Sequence, residues 1–330
     1  MKAAYIQKPG PADTIIYGDL PDPSPAPNQL LIEVKAVSVN PIDTYIRSGK
    51  VAMELPQPFV VGCDFAGVVL EVGSEVQAFR VGDRVWGSNQ GLLGRQGTFS
   101  EKIAIDAKWA YPMPDKVSFE TAAAVALVGI TAHLGLFAEA QLRPGQSLFV
   151  PGGSGGVGSM VIQMAKIAGA RVVTTAGNTD KASRCRALGA DAVICYREES
   201  IEHGLKAFAP EGVDVWWETL REPDMDLAVA SLAPRGCMIL MAGREARPAF
   251  PVGPFYVKQC QLRGFVMFGA SAEQQARCAE QIGHWLSQGD LKPNIDRRLP
   301  LAETAQAHQW QADNTVESSG LLAGKIVLTP

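Results

Sequence analysis

The chain has 330 residues, of which 47% are hydrophobic and 19% charged, values typical of a globular protein with two lobes. Its formal charge is −4, and no run of five basic side chains could follow the phosphates of a nucleic acid. The composition therefore excludes a strongly basic or disordered chain and gives nucleic-acid binding no support.

The N-terminal residues MKAAYIQKPGP contain no extended apolar segment and do not resemble a secretory signal. The longest apolar run, residues 122–137, is interrupted by glycine, threonine and histidine and falls short of the ~20 residues that span a bilayer. The six cysteines form no CxxC pair, and we interpret them as reduced thiols. We expect a cytoplasmic protein with no membrane contact.

The element pattern changes along the chain. Residues 1–116 contain short strand-like runs, among them QLLIEV, FAGVVLEV, DRVWG and SEKIAID, separated by turns. After Ala140, predicted helices alternate with the strands SLFV, RVVTT, DAVIC, VDVWWE, CMILM and LRGFVMF, which predicts βαβ units around a parallel sheet. From about residue 271 we predict one more amphipathic helix, AEQQARCAEQIGHWLSQG, and a closing strand, KIVLT, which returns to the first lobe.

The clearest chemical signal is the glycine loop GGSGGVG. Gly153, Gly155 and Gly158 complete a GxGxxG pattern directly after a predicted strand and at the start of a predicted helix. Glycines at this turn let backbone N–H groups approach a pyrophosphate at the positive end of the helix dipole. The alternative is a glycine turn that serves packing alone. The four βα units that follow favour dinucleotide binding.

The second strand of the predicted sheet bears on the choice of nicotinamide cofactor. An NAD-binding fold usually carries an acidic residue at the end of this strand to hold the ribose 2′-hydroxyl. This chain has Ala176 and Gly177 there, and Lys181 follows within one turn. The pattern favours NADPH over NADH, although Lys181 could equally be a solvated residue on its helix.

At this point the motifs VNPIDTYIRSG, VGCDFAGVVLEVG, VGDRVW, GGSGGVG, TTAG, YREE and GKIVL stand together in one order. The sequence resembles the zeta-crystallin-like quinone oxidoreductases, a zinc-free branch of the medium-chain dehydrogenase/reductase superfamily. The resemblance covers nearly the whole chain. It implies an α/β fold in which a Rossmann doubly wound parallel sheet at 123–268 joins a GroES-like β-rich catalytic domain at 1–122, completed by 269–330.

The resemblance also implies site residues, an NADPH cofactor and a homodimer. Equivalents of Lys181 and Tyr196 contact the 2′-phosphate in bacterial members, and equivalents of Asn40, Asp43 and Tyr45 lie beside the nicotinamide. We accordingly take Asn40, Asp43 and Tyr45 as candidate catalytic residues. The candidate cofactor residues are Gly153, Ser154, Gly155, Gly156, Val157, Gly158, Gly177, Lys181, Tyr196, Gly243 and Phe268.

The residue types at the expected metal position argue against a catalytic zinc. Aligned with zinc-using relatives, Asn40 takes the place of the first ligand cysteine and Cys63 that of the ligand histidine, and no third ligand is apparent. A catalytic zinc needs three protein ligands. Residues 86–108, where a structural zinc loop would lie, contain no cysteine. We therefore expect no metal.

Two points stay open in the sequence. Asn40 could donate to a substrate oxygen with Asp43 holding the network, or Asp43 could simply cap a short helix, DTYIRSG. Tyr45 could stack near the nicotinamide, supply a proton or only pack. The sequence departs from the family at two charged loops, which puts the pocket shape in doubt; these carry Arg221 and Glu222, and Arg244 and Glu245.

Without a metal to stabilise a localised alkoxide, conjugated acceptors suit the reaction best, because they spread the incoming charge. We predict an NADPH-dependent quinone reductase acting on a small-molecule quinone. The close alternative is an enone or 2-alkenal reductase. An alternative of another class is a non-catalytic, crystallin-like protein that binds NADPH or RNA.

Overall fold

The computed structural model describes residues 1–316 and 319–330. These residues form two compact units: unit 1 is Met1–Ile130 with Ser271–Pro330, and unit 2 is Thr131–Ala270. The domain bounds at 122/123 and 268/269 stay a prediction. The strands are β1 (Lys2–Ile6), β2 (Ile16–Asp19), β3 (Gln29–Ser38), β4 (Phe59–Val60), β5 (Phe65–Val72), β6 (Arg84–Gly87), β7 (Lys102–Asp106), β8 (Ala110–Pro112), β9 (Ser147–Val150), β10 (Arg171–Ala176), β11 (Ala192–Cys195), β12 (Val213–Glu218), β13 (Leu232–Leu240), β14 (Gln261–Gly264), β15 (Ile295–Pro300) and β16 (Lys325–Thr329).

Nine α-helices accompany these strands in the described residues. They are α1 (Pro41–Ser48), α2 (Phe119–His133), α3 (Gly156–Ile167), α4 (Thr179–Ala187), α5 (Ile201–Phe208), α6 (Met225–Ser231), α7 (Val252–Val257), α8 (Ala272–Gln288) and α9 (Thr304–Thr315). A π-helical turn, Leu134–Glu139, continues α2.

Unit 1 is built on two sheets. The first has the order β2-β1-β4, and the second has the order β15-β16-β3-β5-β6-β8, with β7 also paired to β3. Alternate residues of β3 are buried, as expected for a strand with one face on a core, and its last three residues are all buried. β3 therefore ends in the protein interior, just before Asn40.

The tail contains more structure than predicted. α8 and β16 match the predicted helix and strand, but α9 and β15 lie between them and were missed. The apolar residues of α9 show little helical periodicity, because the helix buries polar side chains such as His308 and Gln311. β16 pairs with β3 in antiparallel fashion, which brings the C-terminal residues next to the residues that follow β3.

Unit 2 has one six-stranded sheet of order β11-β10-β9-β12-β13-β14, and every pairing is parallel. This is the order of a Rossmann sheet, with the switch point between β9 and β12, and the predicted fold class is confirmed. The predicted strand LRGFVMF is too long. β14 ends at Gly264, and Met267–Gly269 forms a 3₁₀ turn.

The apolar run at residues 122–137 lies in a helix longer than predicted. Counted from Phe119 to Glu139, this helix has 21 residues and could cross a membrane by length and composition alone. The expectation that this segment is too short to span a bilayer was therefore wrong. Of its most apolar window, 72% is buried inside the protein. We interpret it as a core helix, because a helix surrounded by its own protein is apolar on all sides.

Candidate functional site

Asn40 lies two residues beyond β3, at the N-cap of α1, and its side chain is fully buried. Its Nδ2 donates to Asp64 Oδ2 at 2.8 Å and to the carbonyl of Ser38 at 3.3 Å. Its Oδ1 accepts a hydrogen bond from Lys325 Nζ. An amide has two N–H donors, and both are used inside the protein. The role of donor to a substrate oxygen, expected from the sequence, therefore lacks support here.

Two buried charged residues that sequence analysis missed, Asp64 and Lys325, surround this amide. Lys325 Nζ also donates to the carbonyl of Val39 at 2.8 Å and lies 3.7 Å from Asp64 Oδ2. Asp64 Oδ2 accepts from Ser38 Oγ at 2.8 Å, and its Oδ1 accepts from the N–H of Leu127 at 3.1 Å. A charged residue inside the apolar segments VGCDFAG and GKIVL was the signal available in the sequence.

Asp43 is the second predicted site residue and lies on α1, where it is 3% exposed. Its Oδ2 accepts the backbone N–H of Asn40 at 2.8 Å, the contact of a helix cap. Its Oδ1 has no hydrogen-bond partner within residues 1–316 and 319–330. Burial raises the pKa of Asp43 to about 7, although the neighbouring Cys63 thiol acts in the opposite direction.

Cys63 completes this group, which we call the buried polar cluster: Asn40, Asp43, Cys63, Asp64 and Lys325. Burial raises the pKa of the Cys63 thiol well above its ordinary value, and the adjacent Asp43 raises it further. The thiol is therefore uncharged at neutral pH. Tyr45 is half-buried on the same helix as Asp43.

In unit 2 the glycine loop joins β9 to α3. A Cβ atom at Gly153 would lie 2.3 Å from Thr174 Oγ1, and one at Gly158 would lie 2.5 Å from the carbonyl oxygen of Gly152. Gly152 itself has φ +67°. Positions 153 and 158 therefore accept only glycine, because contacts below 3 Å are steric clashes.

The start of α3 fits a pyrophosphate. Its N-cap is Gly155, which offers no side-chain cap, so the first-turn N–H groups from Gly156 to Gly158 are left for a ligand. Thr175 Oγ1 accepts the N–H of Gly152 at 3.0 Å, and Thr219 Oγ1 donates to the carbonyl of Pro151 at 2.9 Å. These two threonines, which the sequence did not single out, hold the loop between β10 and β12. Ser154 and Val157 lie within the same loop and first turn.

The residues predicted to meet a 2′-phosphate lie at the carboxyl ends of two paired strands. Ala176, the last residue of β10, pairs with Cys195, and Tyr196 follows directly. A Cβ atom on Gly177 would lie 2.6 Å from Tyr196 Oη, so the hydroxyl lies over the glycine. Lys181 is on the first turn of α4, which also carries the exposed Asp180.

The remaining predicted cofactor residues lie at the same end of unit 2. Gly243 follows β13 with φ +75°, and a Cβ there would lie 3.0 Å from the carbonyl of Arg221, so the two charged loops meet. Arg244 and Glu245 are exposed. Phe268 is half-buried in the 3₁₀ turn after β14.

No group of three or more His, Cys, Asp or Glu side chains is placed to hold a metal ion within the described residues. The buried polar cluster has two carboxyls and one thiol, but Asp64 is already engaged by the Lys325 ammonium. Its donor set therefore does not match the three-ligand arrangement of a catalytic zinc.

Comparison with known proteins shows which families and relatives this chain is similar to. The family described as "Alcohol dehydrogenase GroES-like domain" matches residues 26–115, and the one described as "Zinc-binding dehydrogenase" matches residues 156–282. The human protein named quinone oxidoreductase is 31% identical over 320 residues, covering 97% of this chain and 94% of that protein. The tomato (Solanum lycopersicum) protein named 2-methylene-furan-3-one reductase is 31% identical over 337 residues, covering 100% of this chain and 79% of that protein.

Among solved structures, the Escherichia coli quinone oxidoreductase complexed with NADPH superposes with a TM-score of 0.88 at 28% identity, covering 100% of both chains. The resemblance found in the sequence is thus confirmed over the full length and in three dimensions. The chain is an oxidoreductase that belongs to the quinone oxidoreductase family of the medium-chain dehydrogenase/reductase superfamily.

Proposed function

We propose that this protein is an NADPH-dependent reductase that transfers hydride to a small quinone or a similar conjugated acceptor without a metal. The observation that carries the proposal is the placement of Tyr196 Oη over Gly177, beside the first turn of α4. An acid that binds a ribose 2′-hydroxyl would occupy this strand end in an NADH-specific protein. Here a hydroxyl and a lysine suit a phosphate instead. NADPH, when bound, supplies a hydride from C4 of its nicotinamide.

The geometry of unit 2 supports the following binding roles in this proposal. The first-turn N–H groups of α3 receive the pyrophosphate, and Lys181 and Tyr196 receive the 2′-phosphate. Gly243 allows the backbone to approach the cofactor, and Phe268 covers it. The structure of the Escherichia coli relative in complex with NADPH supports this choice of cofactor.

The acceptor class follows from unit 1. Asn40 occupies the position of a zinc-ligand cysteine in metal-using relatives, and its amide is bound by Lys325 and Asp64. Without a Lewis acid, the acceptor itself must delocalise the charge that hydride brings, as quinones and enones do. Asn40 keeps the cluster in place, Asp43 is held next to it, and Tyr45 lies on the same helix.

A second candidate is reduction of the carbon–carbon double bond of an enone or 2-alkenal. The tomato relative, named as a reductase of a methylene-furanone, favours it specifically. Steady-state NADPH oxidation with a panel of quinones and α,β-unsaturated carbonyls distinguishes the two. A larger kcat/KM for quinones supports the first proposal, a larger value for enones supports the second, and no turnover of either contradicts both.

We further propose a cytoplasmic homodimer. The edge strand β14 is exposed along its length, and apolar residues of α7 and the segment after β14 are exposed next to it in sequence, with Tyr256 68% and Val266 59% exposed. An exposed edge strand with apolar neighbours pairs readily with a second copy of itself.

A further inference from the structure

A buried carboxylate, Glu218, lies at the carboxyl end of β12 in unit 2. Its side chain is fully buried, and both of its oxygens accept a hydrogen bond. Oε1 accepts the backbone N–H of Leu220 at 2.7 Å, and Oε2 accepts the indole Nε1–H of Trp216 at 3.1 Å. N–H donors at both oxygens favour the ionised form of a carboxyl group. Glu218 is therefore an anion held by N–H donors.

The electrostatics around Glu218 show what these donors do. Burial raises the pKa of Glu218, whereas the N–H of Leu220, the indole of Trp216 and the N–H of Thr219 act in the opposite direction. The cost of taking the charge out of water is thus offset by hydrogen bonds, most of them to the backbone just after β12. The position of this backbone consequently depends on the Glu218 carboxylate.

Thr219 connects the carboxylate to the glycine loop. This residue lies between Glu218 and Leu220, whose N–H the carboxylate binds, and its Oγ1 donates to the carbonyl of Pro151 at 2.9 Å. Pro151 opens the glycine loop, and the next residue, Gly152, has φ +67°. A Cβ atom on Gly152 would lie 3.9 Å from Thr219 Oγ1, so the hydroxyl lies against this turn.

The end of β12 is also tied to β9, the strand that leads into the glycine loop. Trp216 pairs with Phe149 in parallel register, and the centroids of the two rings are 4.4 Å apart. The indole that packs on β9 is the one that donates to Glu218. On the other side, Thr175 Oγ1 accepts an N–H of the loop at 3.0 Å. The loop is thus held from β10 by Thr175 and from β12 by the group around Glu218.

We propose that Glu218 is a positioning residue for the dinucleotide site: its carboxylate fixes Thr219, and Thr219 holds the glycine loop in the shape that directs the first-turn N–H groups of α3 at a pyrophosphate. The carbonyl of Gly152 accepts the N–H of Gly155, the N-cap of α3, at 2.9 Å, so the shape of the loop sets the start of the helix. This role rests on the proposed function. It concerns the part of the ligand that NADPH and NADH share and is separate from the contacts proposed for the 2′-phosphate.

The competing explanation is that Glu218 only stabilises unit 2. Asp214 offers a matched control, because it joins the same two strands at the other end of β12. Its Oδ2 accepts the N–H of Ser147 on β9 at 2.7 Å and the Oγ–H of Ser147 at 2.8 Å. Asp214→Asn and Glu218→Gln each replace a carboxylate that links β12 to its surroundings, so both should lower the free energy of unfolding. Only Glu218→Gln should change the glycine loop.

The first measurement is the dissociation constant of three ligands by titration calorimetry, which needs neither acceptor nor turnover: NADPH, NADH and adenosine 2′-monophosphate, which has no pyrophosphate. We expect Glu218→Gln to weaken both dinucleotides by the same factor, at least about tenfold, and to leave adenosine 2′-monophosphate unchanged. Asp214→Asn should bind all three ligands as the wild type does. Wild-type affinity of Glu218→Gln for the dinucleotides, or an equal loss for all three ligands, overturns the positioning role and leaves the proposed function intact. A wild type that binds neither dinucleotide overturns both.

The second measurement uses the residue through which Glu218 acts. Thr219→Val removes the hydroxyl that donates to Pro151 and keeps the shape of the side chain, whereas Thr219→Ser keeps the hydroxyl. We expect Thr219→Val to weaken both dinucleotides as Glu218→Gln does, and Thr219→Ser to retain wild-type affinity. The double variant should bind no more weakly than the weaker single variant, because the two residues act on the loop in series. Wild-type affinity of Thr219→Val overturns the proposal, whether or not Glu218→Gln folds.

Discussion

Lys325 Nζ donates a hydrogen bond to the side-chain oxygen of Asn40, 285 residues earlier in the chain. The closing strand β16 thus supplies the only ammonium that contacts the buried polar cluster within the described residues. Because it also bonds the carbonyl of Val39, Lys325 fixes both the backbone and the amide at the start of α1.

Removing this ammonium leaves Asp64 buried and unpaired. We expect Lys325→Met to lower the free energy of unfolding by about 3 to 5 kcal/mol, the usual cost of breaking a buried ion pair at one partner. The double variant Lys325→Met/Asp64→Asn should lose less than the sum of the two single variants. Denaturant unfolding of all four proteins measures this difference, and strict additivity would contradict the pairing.

The folding stability of the protein should depend on acidic pH most clearly through His308. It is fully buried edge-on to Phe99, and neither ring nitrogen has a partner among the described residues. Burial, helped by Arg47, lowers its pKa to about 3. The unfolded chain binds a proton at this histidine below pH ~6.5 but the folded chain does not. The stability contributed by neutral His308 is therefore complete above that pH and is lost as the pH falls towards 3.

His308→Leu removes this loss. The difference in free energy of unfolding between His308→Leu and wild type should therefore shift by about 3 kcal/mol in favour of the variant as the pH falls from 7 to 4. Asp43 contributes a pH dependence of stability with the opposite sign, because its raised pKa favours the folded state at low pH. This contribution is the same in both proteins. His284→Leu, at an exposed position on α8, is the control and should show no such trend. Parallel pH curves for His308→Leu and wild type would contradict the account.

The proposed dimer depends on the apolar segment after β14. A lysine at Val266 would place a charge in the interface, and we expect Val266→Lys to weaken dimerisation at least about tenfold. Val81→Lys is the control, because Val81 is a similarly exposed valine, 65% against 59%, in a turn of unit 1. Light scattering at micromolar concentration should give a dimer for wild type and control. A monomeric wild type would disprove the assembly.

Cofactor preference tests the 2′-phosphate contacts directly. A charge-assisted hydrogen bond contributes about 1.5 to 3 kcal/mol, so Lys181→Ala should weaken NADPH binding by about 10- to 100-fold and leave NADH almost unchanged. Tyr196→Phe should do the same more mildly. Lys206→Ala, an exposed lysine on α5, should change neither dissociation constant. Equal weakening of both cofactors by Lys181→Ala would show that Lys181 does not meet the phosphate.

The sequence predicts unit 2 well because its signals are local. Strand and helix periods alternate there, and Gly153 and Gly158 mark a turn that the structure shows to be sterically closed to larger residues. The buried polar cluster is harder to predict, because Lys325 meets Asn40 only after β16 has paired with β3. No local sequence pattern indicates that both N–H donors of the Asn40 side chain bond to other groups of the protein. Nor does any local pattern indicate that Asp43 Oδ1 accepts no hydrogen bond within the described residues.

The most direct test of the whole account is NADPH oxidation by a quinone before and after exhaustive chelation, with the zinc content of the same sample measured by elemental analysis. We predict turnover with NADPH, no stoichiometric zinc and an unchanged rate after chelation, because the cluster around Asn40 is occupied by an ion pair rather than by metal ligands. One tightly bound zinc per chain, with activity lost on its removal, would contradict the proposed chemistry.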